Sequence, residues 1–254
     1  MDMDGVLWRG TEPLGDLPYL FDQITHLGLK AVLVTNNATR SVDFYLKKLR
    51  SFGVYLERWQ VISSGVALVY QLRESIQPGS TIYVIGEEGL MQLLVSEGFI
   101  IGVENAQAVI VSLDRELTYE KLRLGNNLVR SGALLIGTNP DATIPLPGGL
   151  EPGAGAILAA LEASTGVRAA IAGKPSPQVF RLAMERLGTS SEETLVIGDR
   201  LETYIAGAQS LGCRTSLVLS GVTSQEKTQD WSPAPDLIAG DLAEILDIVQ
   251  KGKR

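Results

Sequence analysis

Short apolar segments rich in β-branched residues alternate with helix-like segments along most of this 254-residue chain. The segments at 30–36, 108–113 and 194–198 have the length and composition of buried strands, and each is followed by a helical pattern. Strands that alternate with helices pair in parallel, because the helix carries the chain back across the sheet. The sequence therefore predicts an α/β fold with mostly parallel sheets.

The alternation falls into two sets. We expect a Rossmann-like parallel-sheet core over 1–70 and 173–254, interrupted by an inserted α/β cap domain over 71–172. The stretch 138–152 is rich in proline and glycine, and it is predicted to be a loop. The glycine pair at 153 and 155 does not indicate a dinucleotide-binding loop, because Leu158 occupies the place of the third glycine.

Composition excludes several classes of function. The formal net charge of −7 argues against binding to nucleic acid or to an acidic membrane surface. Cys213 and His26 are the only residues of their kinds, which excludes an intramolecular disulfide, a cysteine metal site and a multi-histidine metal site. No stretch has the length of a membrane-spanning helix and no signal peptide is visible, so we expect a cytoplasmic protein.

Two carboxylates near the N-terminus are the first candidates for chemistry. If residues 1–4 form a strand, Asp2 and Asp4 point to the same side, because side chains alternate along a strand. Gly5 then allows a tight turn and a close approach of the backbone to a ligand. Two such carboxylates can act as nucleophile and proton donor, and they can bind Mg²⁺. A solvated acidic terminus explains this motif alone equally well.

Further polar residues follow predicted strands. Thr35, Asn36 and Asn37 end one strand, Lys174 follows the apolar stretch 169–172, and Asp199 ends another strand. Ligands of open parallel sheets bind at the carboxyl ends of strands, so these side chains are candidates for one site. Taken singly, the asparagines are explained as turn formers and Lys174 as a surface lysine. A buried unpaired carboxylate is costly, which favours a functional role for Asp199.

These segments, in this order, resemble the motifs of the haloacid dehalogenase-like phosphatases. The segment 71–172 is similar to the cap of their NagD-like subgroup, which includes 4-nitrophenylphosphatases and phosphoglycolate phosphatases. The resemblance runs nearly from end to end. The matching stretches are Asp2-Met3-Asp4-Gly5-Val6-Leu7, Thr35-Asn36-Asn37, Lys174-Pro175 and Gly198-Asp199.

The resemblance implies a Mg²⁺-dependent phosphatase with a small phosphorylated metabolite as substrate. Asp2 would be the nucleophile and Asp4 the general acid/base. Haloacid dehalogenation is disfavoured, because the dehalogenase branch of the family lacks the aspartate that corresponds to Asp4. The cap is also where copies of the chain are expected to associate. The implied substrate-binding residues are Thr35, Asn36, Asn37 and Lys174, and the implied metal ligands are Asp2, Asp4 (through its backbone carbonyl) and Asp199.

Two departures from the family pattern lead to further expectations. The family has an apolar strand before the nucleophile, whereas only Met1 precedes Asp2, so the neighbouring strands are expected to lose ladder partners. The fourth motif usually carries a second aspartate where this chain has Tyr204, which predicts weakened metal binding. A catalytically weakened or inactive phosphate-binding or interaction protein is therefore the alternative function.

Overall fold

The computed structural model describes residues 1–146 and 149–252. Its elements alternate as the sequence predicts. In chain order the strands are β1 (Trp8–Arg9), β2 (Glu12–Pro13), β3 (Leu33–Thr35), β4 (Val61–Ser63), β5 (Thr81–Ile85), β6 (Ile100–Ile101), β7 (Ala108–Val111), β8 (Leu134–Gly137), β9 (Thr143–Leu146), β10 (Gly149–Pro152), β11 (Ala170–Ile171), β12 (Leu195–Gly198), β13 (Arg214–Val218) and β14 (Leu237–Ala239). The helices are α1 (Leu17–His26), α2 (Val42–Ser51), α3 (Ser64–Ser75), α4 (Glu88–Ser96), α5 (Tyr119–Arg130), α6 (Ala154–Thr165), α7 (Pro177–Leu187), α8 (Ala206–Gln209), α9 (Gln225–Thr228) and α10 (Leu242–Gly252), with a 3₁₀ turn at Arg58–Gln60 and a π-helical turn at Leu201–Ile205.

The chain divides into two compact units. Unit 1 comprises Met1–Thr35, Val42–Ile62 and Pro175–Arg254, and unit 2 comprises Asn36–Ser41 and Ser63–Lys174. The mixed α/β architecture with parallel sheets confirms the predicted fold class. The predicted limits of the cap, 71 and 172, concern which segment covers the active site, and they stay a prediction.

Unit 1 is organised around the first two residues of the chain. The Met1 nitrogen donates a hydrogen bond to the Val32 carbonyl at 2.8 Å, and Val34 N donates to the Met1 carbonyl at 2.9 Å. On the other side, Asp2 N donates to the Ile197 carbonyl at 2.9 Å. Met1 and Asp2 thus lie between β3, which is a neighbour of β4, and β12, which begins the parallel sheet β12-β13-β14.

The expected strand over 1–4 is wrong beyond Asp2. The Met3 carbonyl accepts hydrogen bonds from the backbone nitrogens of Val6, Leu7 and Trp8, so the chain coils as soon as it leaves the sheet. Gly5 adopts φ +82, a conformation that other residues rarely tolerate. Asp2 is buried and Asp4 is exposed, so the two carboxylates do not share one face of a strand.

Unit 2 contains the parallel sheet β11-β8-β7-β5-β6 with helices on both faces. Ile82 and Val84 of β5 pack in one apolar cluster with residues of α3 and α4. Their neighbours Tyr83 and Ile85 pack on the other face with residues of α5 and α6. Successive strand residues are therefore all apolar, as expected for a strand that is buried on both faces.

Two local predictions are corrected by the structure. The predicted loop at 138–152 contains an antiparallel hairpin of β9 and β10, with residues 147 and 148 outside the described part. The helical pattern predicted after the strand 194–198 begins as a π-helical turn, in which the ring of Tyr204 packs directly against Gly198. A Cβ atom at Gly198 would lie 2.3 Å from Tyr204 Cγ. Across the described residues, no helix is both long enough and apolar enough to cross a membrane.

Asp236 joins the start of β14 to β13. Its Oδ2 accepts hydrogen bonds from Thr215 N at 2.7 Å and from Thr215 Oγ1 at 2.9 Å. These hydrogen bonds lower the pKa of Asp236 below its usual 3.8. A lowered pKa in the folded state means that the carboxylate stabilises the fold above its unfolded pKa, and that this contribution is lost as the pH falls through the folded pKa.

We predict that Asp236→Asn lowers the melting temperature at pH 7, and that the difference from the wild type shrinks as the pH falls below about 4. Thermal melts from pH 3 to pH 7 measure this. Asp230→Asn, which removes the same charge from an exposed position, is the matched control. A difference for Asp236→Asn that is constant over the whole pH range would contradict the prediction.

Candidate active site

Asp2 is held at the point where the chain leaves the sheet. Its side chain is buried, with 7% of the residue exposed, and Oδ1 accepts a hydrogen bond from Met3 N at 2.7 Å. Its backbone nitrogen donates a hydrogen bond to the carbonyl of Ile197, near the end of β12. The carboxylate therefore lies beside the carboxyl end of β12, where the next residue after the strand is Asp199.

Asp199 is buried between two glycines. Its Oδ2 accepts a hydrogen bond from Val222 N at 2.9 Å. A Cβ atom at Gly5 would lie 2.4 Å from this oxygen, and one at Gly221 would lie 2.1 Å from it. Only glycine lets the backbone approach the carboxylate so closely, and Ser220 Oγ joins the two loops by donating to the Gly5 carbonyl at 2.7 Å.

Asp4 lies one turn away from Asp2, in the coil that follows. Its Oδ1 accepts a hydrogen bond from Trp8 Nε1 at 2.8 Å. The ammonium group of Lys48 lies 4.0 Å from the centroid of the Trp8 ring. Burial lowers the pKa of Lys48, and the negative charge of Asp4 partly offsets this effect.

Tyr204 is fully buried, close to Asp2 and Asp199. Its hydroxyl donates a hydrogen bond to the Val34 carbonyl in β3. Burial raises the pKa of Tyr204 well above its usual 10.0, and the Asp2 carboxylate raises it further by its charge and by a hydrogen bond. Asp199 and then Asp4 act in the same direction, so the phenol stays neutral.

Asn36 and Lys174 form a separate cluster within unit 2. Asn36 Oδ1 accepts a hydrogen bond from Lys174 N at 2.8 Å, and Asn36 Nδ2 donates to the Lys174 carbonyl at 3.0 Å. The carboxamide thus pairs with the main chain of Lys174 as a peptide group would. The Asn36 carbonyl in turn accepts hydrogen bonds from Ser64 Oγ at 2.5 Å and from Asn139 Nδ2 at 2.9 Å. In this structure Asn36 fixes the position of Lys174.

The remaining predicted binding residues have different settings. Thr35 is buried at the end of β3. Asn37 Oδ1 accepts hydrogen bonds from the nitrogen and hydroxyl of Thr39, both at 2.8 Å, which is the turn-forming role that the sequence left open. Lys174 is buried, with 3% of the residue exposed. A direct phosphate contact of any of these residues stays a prediction.

The donors in unit 1 suit Mg²⁺. They are the carboxylates of Asp2 and Asp199 and the main-chain carbonyl of Asp4, and Mg²⁺ typically binds one or two carboxylates and keeps several waters. The close glycine contacts of Asp199 hold one of these carboxylates in place. Among residues 1–146 and 149–252, no group of three or more His, Cys, Asp or Glu side chains is arranged to hold a metal ion. The predicted set requires only two such side chains.

The sequence analysis missed two contributors to the site and did not foresee the contacts of a third. Trp8 is four residues from Asp4, but that spacing brings side chains together only in a helix, and here the segment is a coil. No sequence pattern indicates Gly221, because nothing in the sequence predicts that the loop after β13 lies next to Asp199. Tyr204 was noted as a departure from the pattern, yet its hydroxyl contacts were not foreseen.

Comparisons with known proteins identify the family. A family model described as haloacid dehalogenase-like hydrolase matches residues 1–100, and one described as HAD-hydrolase-like matches residues 171–245. A protein of Bacillus subtilis named 5'-nucleotidase YutF is 36% identical over 98% of this chain and 97% of its own length. This chain belongs to the haloacid dehalogenase-like hydrolases.

Solved structures place this haloacid dehalogenase-like hydrolase among the NagD-like phosphatases. NagD of Escherichia coli superposes with a TM-score of 0.89 at 32% identity, covering 96% of this chain and 95% of NagD. A glycerol phosphate phosphatase of Mycobacterium tuberculosis, solved in complex with magnesium, gives a TM-score of 0.88 at 30% identity, covering 96% of this chain and 74% of its own.

The contact of Gly221 with Asp199 generates a prediction for this hydrolase. In Gly221→Ala the new methyl group would occupy the place of the carboxylate, so Asp199 must move. We expect hydrolysis of 4-nitrophenyl phosphate to fall by at least about 10-fold, the scale of a misplaced metal-site residue. We also expect Mg²⁺ to raise the melting temperature less than it does for the wild type.

Gly252→Ala is the control, because a Cβ atom there would meet nothing within 4 Å. It should leave both readouts unchanged. Wild-type activity together with a wild-type Mg²⁺ response in Gly221→Ala would show that the position of Asp199 is unimportant.

Proposed function

We propose that this chain hydrolyses small phosphate monoesters through an aspartyl-phosphate formed on Asp2. The observation that carries the proposal is the pair of buried carboxylates, Asp2 and Asp199, held by backbone N–H groups at the carboxyl end of β12. Relatives named as a nucleotidase and as a glycerol phosphate phosphatase support an ester of this kind.

In the first step the Asp2 carboxylate attacks the phosphorus atom, and the bond from phosphorus to the leaving oxygen breaks. Asp4 donates its proton to that oxygen, so the product leaves as a neutral alcohol. In the second step Asp4, now a carboxylate, takes a proton from water. The resulting hydroxide attacks the phosphorus, phosphate is released, and Asp2 and Asp4 return to their initial states.

The other predicted residues bind the phosphoryl group in this proposal. Thr35 and Asn37 offer hydrogen-bond donors, Lys174 offers positive charge, and Asn36 keeps Lys174 in position. Asp2, Asp199 and the Asp4 carbonyl would hold Mg²⁺, which would supply positive charge beside the phosphoryl oxygens. An acidic protein needs such local positive charge to bind an anionic substrate.

Tyr204 favours a second candidate function. Its neutral phenol lies beside Asp2 and Asp199, where the family pattern has a further carboxylate, and this predicts weaker metal binding. A phosphate-binding protein with weakened catalysis is consistent with that contact. Steady-state assays with 4-nitrophenyl phosphate and Mg²⁺, followed by a panel of phosphorylated metabolites, distinguish the two functions and identify the preferred ester.

We predict that Asp2→Asn abolishes turnover, because an amide cannot serve as the nucleophile. Asp4→Asn should lower kcat by roughly 10²–10⁴-fold, the usual contribution of one general acid/base. Steady-state rates with a glycerol phosphate measure both effects, because release of its alkyl oxygen depends on proton donation, and thermal melts check that both variants fold. Normal turnover by a folded Asp2→Asn protein would eliminate the proposed mechanism.

A separate prediction concerns Tyr204 and Mg²⁺. In Tyr204→Asp a third carboxylate would lie close to Asp2 and Asp199, so the metal-free protein should be less stable and Mg²⁺ should bind more tightly. We expect the Mg²⁺ concentration for half-maximal thermal stabilisation, and that for half-maximal activity, to fall by about 10-fold.

Tyr204→Phe is the control, since it removes the hydroxyl without adding charge. It should leave the Mg²⁺ concentrations of both titrations close to those of the wild type. If Tyr204→Asp needs as much Mg²⁺ as the wild type or more, Tyr204 has a packing role and no influence on the metal.

A further inference from the structure

Trp8 makes a hydrogen bond that the mechanism above does not use. Its side chain is completely buried, and its indole N–H donates to Asp4 Oδ1 at 2.8 Å. Asp4 itself is exposed. An exposed carboxylate bonded to a buried, immobile donor has a restricted set of side-chain orientations, because leaving the bond would bury an unsatisfied N–H group.

The main chain fixes both ends of this contact. Gly5 N donates a hydrogen bond to the Trp8 carbonyl at 2.8 Å, and the Met3 carbonyl accepts hydrogen bonds from Leu7 N at 2.8 Å and from Trp8 N at 3.3 Å. The segment from Asp4 to Trp8 is therefore a closed coil, and the indole cannot shift without opening it.

Two side chains hold the indole ring. Lys48 lies over the ring, and its ammonium group is itself fixed by donating to the Gly10 carbonyl at 2.8 Å. The ring of Phe52 is tilted by 40° at a centroid distance of 5.9 Å. The donor is thus anchored by α2, which carries Lys48, and by the residue that follows this helix.

We propose that Trp8 is a positioning residue that orients the general acid/base Asp4. The indole bond engages Oδ1, so Oδ2 is the oxygen that exchanges a proton with the leaving group and with water. The inference rests on the proposed function. In addition, the orientation of the Asp4 carboxyl group is fixed before substrate binds, by a residue that touches neither substrate nor metal.

Leaving groups distinguish this role from a purely structural one. An alkyl phosphate releases a strongly basic oxygen and depends on proton donation, whereas 4-nitrophenolate leaves readily without it. Loss of orientation at Asp4 should therefore slow alkyl ester hydrolysis far more than hydrolysis of 4-nitrophenyl phosphate. General destabilisation would slow both reactions by the same factor.

The test is Trp8→Phe, which removes the N–H donor and keeps an aromatic ring. We expect kcat/KM for a glycerol phosphate to fall by about 10- to 100-fold, the scale of a misplaced catalytic group, and kcat/KM for 4-nitrophenyl phosphate to change only a few-fold. The ratio kcat/KM is the readout because it covers the steps up to the aspartyl-phosphate and excludes its hydrolysis, in which Asp4 acts as the base for both esters. Phe52→Leu is the matched control, which disturbs the same ring packing but leaves the hydrogen bond. It should lower the melting temperature and affect both esters equally.

A double-mutant cycle with Asp4→Asn completes the experiment. Without the acid, Trp8→Phe should no longer discriminate between the two esters. If Trp8→Phe does not fold, β-(3-benzothienyl)alanine at position 8 replaces the N–H by sulfur in a ring of the same shape. Equal loss on both esters, or discrimination that persists in the Asp4→Asn background, would overturn the inference. A folded wild type that hydrolyses neither ester would overturn the proposed function as well.

Discussion

The main-chain hydrogen bonds of Met1 and Asp2 are the contacts on which unit 1 depends. In the described part of the chain, β3 and β12 belong to separate sheets, and these two residues connect them. The same bonds determine where the Asp2 carboxylate lies, because the residue that completes the ladder is also the proposed nucleophile. The hydrogen bonds that connect the two sheets therefore also place the Asp2 carboxylate.

Around that point, negative charge is buried and must be compensated. Asp2 and Asp199 accept hydrogen bonds from backbone N–H groups, which stabilise a carboxylate in a poorly solvated place. Tyr204 adds a neutral hydroxyl where the family pattern has another aspartate. Two buried carboxylates therefore lie beside a neutral phenol, and a third carboxylate does not add its charge at that position.

The sequence was sufficient to predict features whose pattern lies within a single segment. The strand over 194–198 and the polar residue that follows it, Asp199, could be located because apolar β-branched runs predict buried strands. Contacts between distant segments could not be predicted in this way. The hydroxyl of Tyr204 contacts Val34, 170 residues earlier, and the loop of Gly221 packs against Asp199 and donates a hydrogen bond to it from Val222 N. The strand expected over 1–4 failed because the Met3 carbonyl satisfied three nitrogens of the following coil.

The pairing of Asp2 with Ile197 also sets an order of events during synthesis. The ribosome adds Ile197 about 195 residues after Asp2, which takes roughly 10–40 s at typical elongation rates. The last residue of unit 2, Lys174, is synthesised before β12 begins at Leu195. The proposed active site is therefore incomplete until β12 has been made, and a translation product that ends before Leu195 would contain all residues of unit 2 but would lack Asp199.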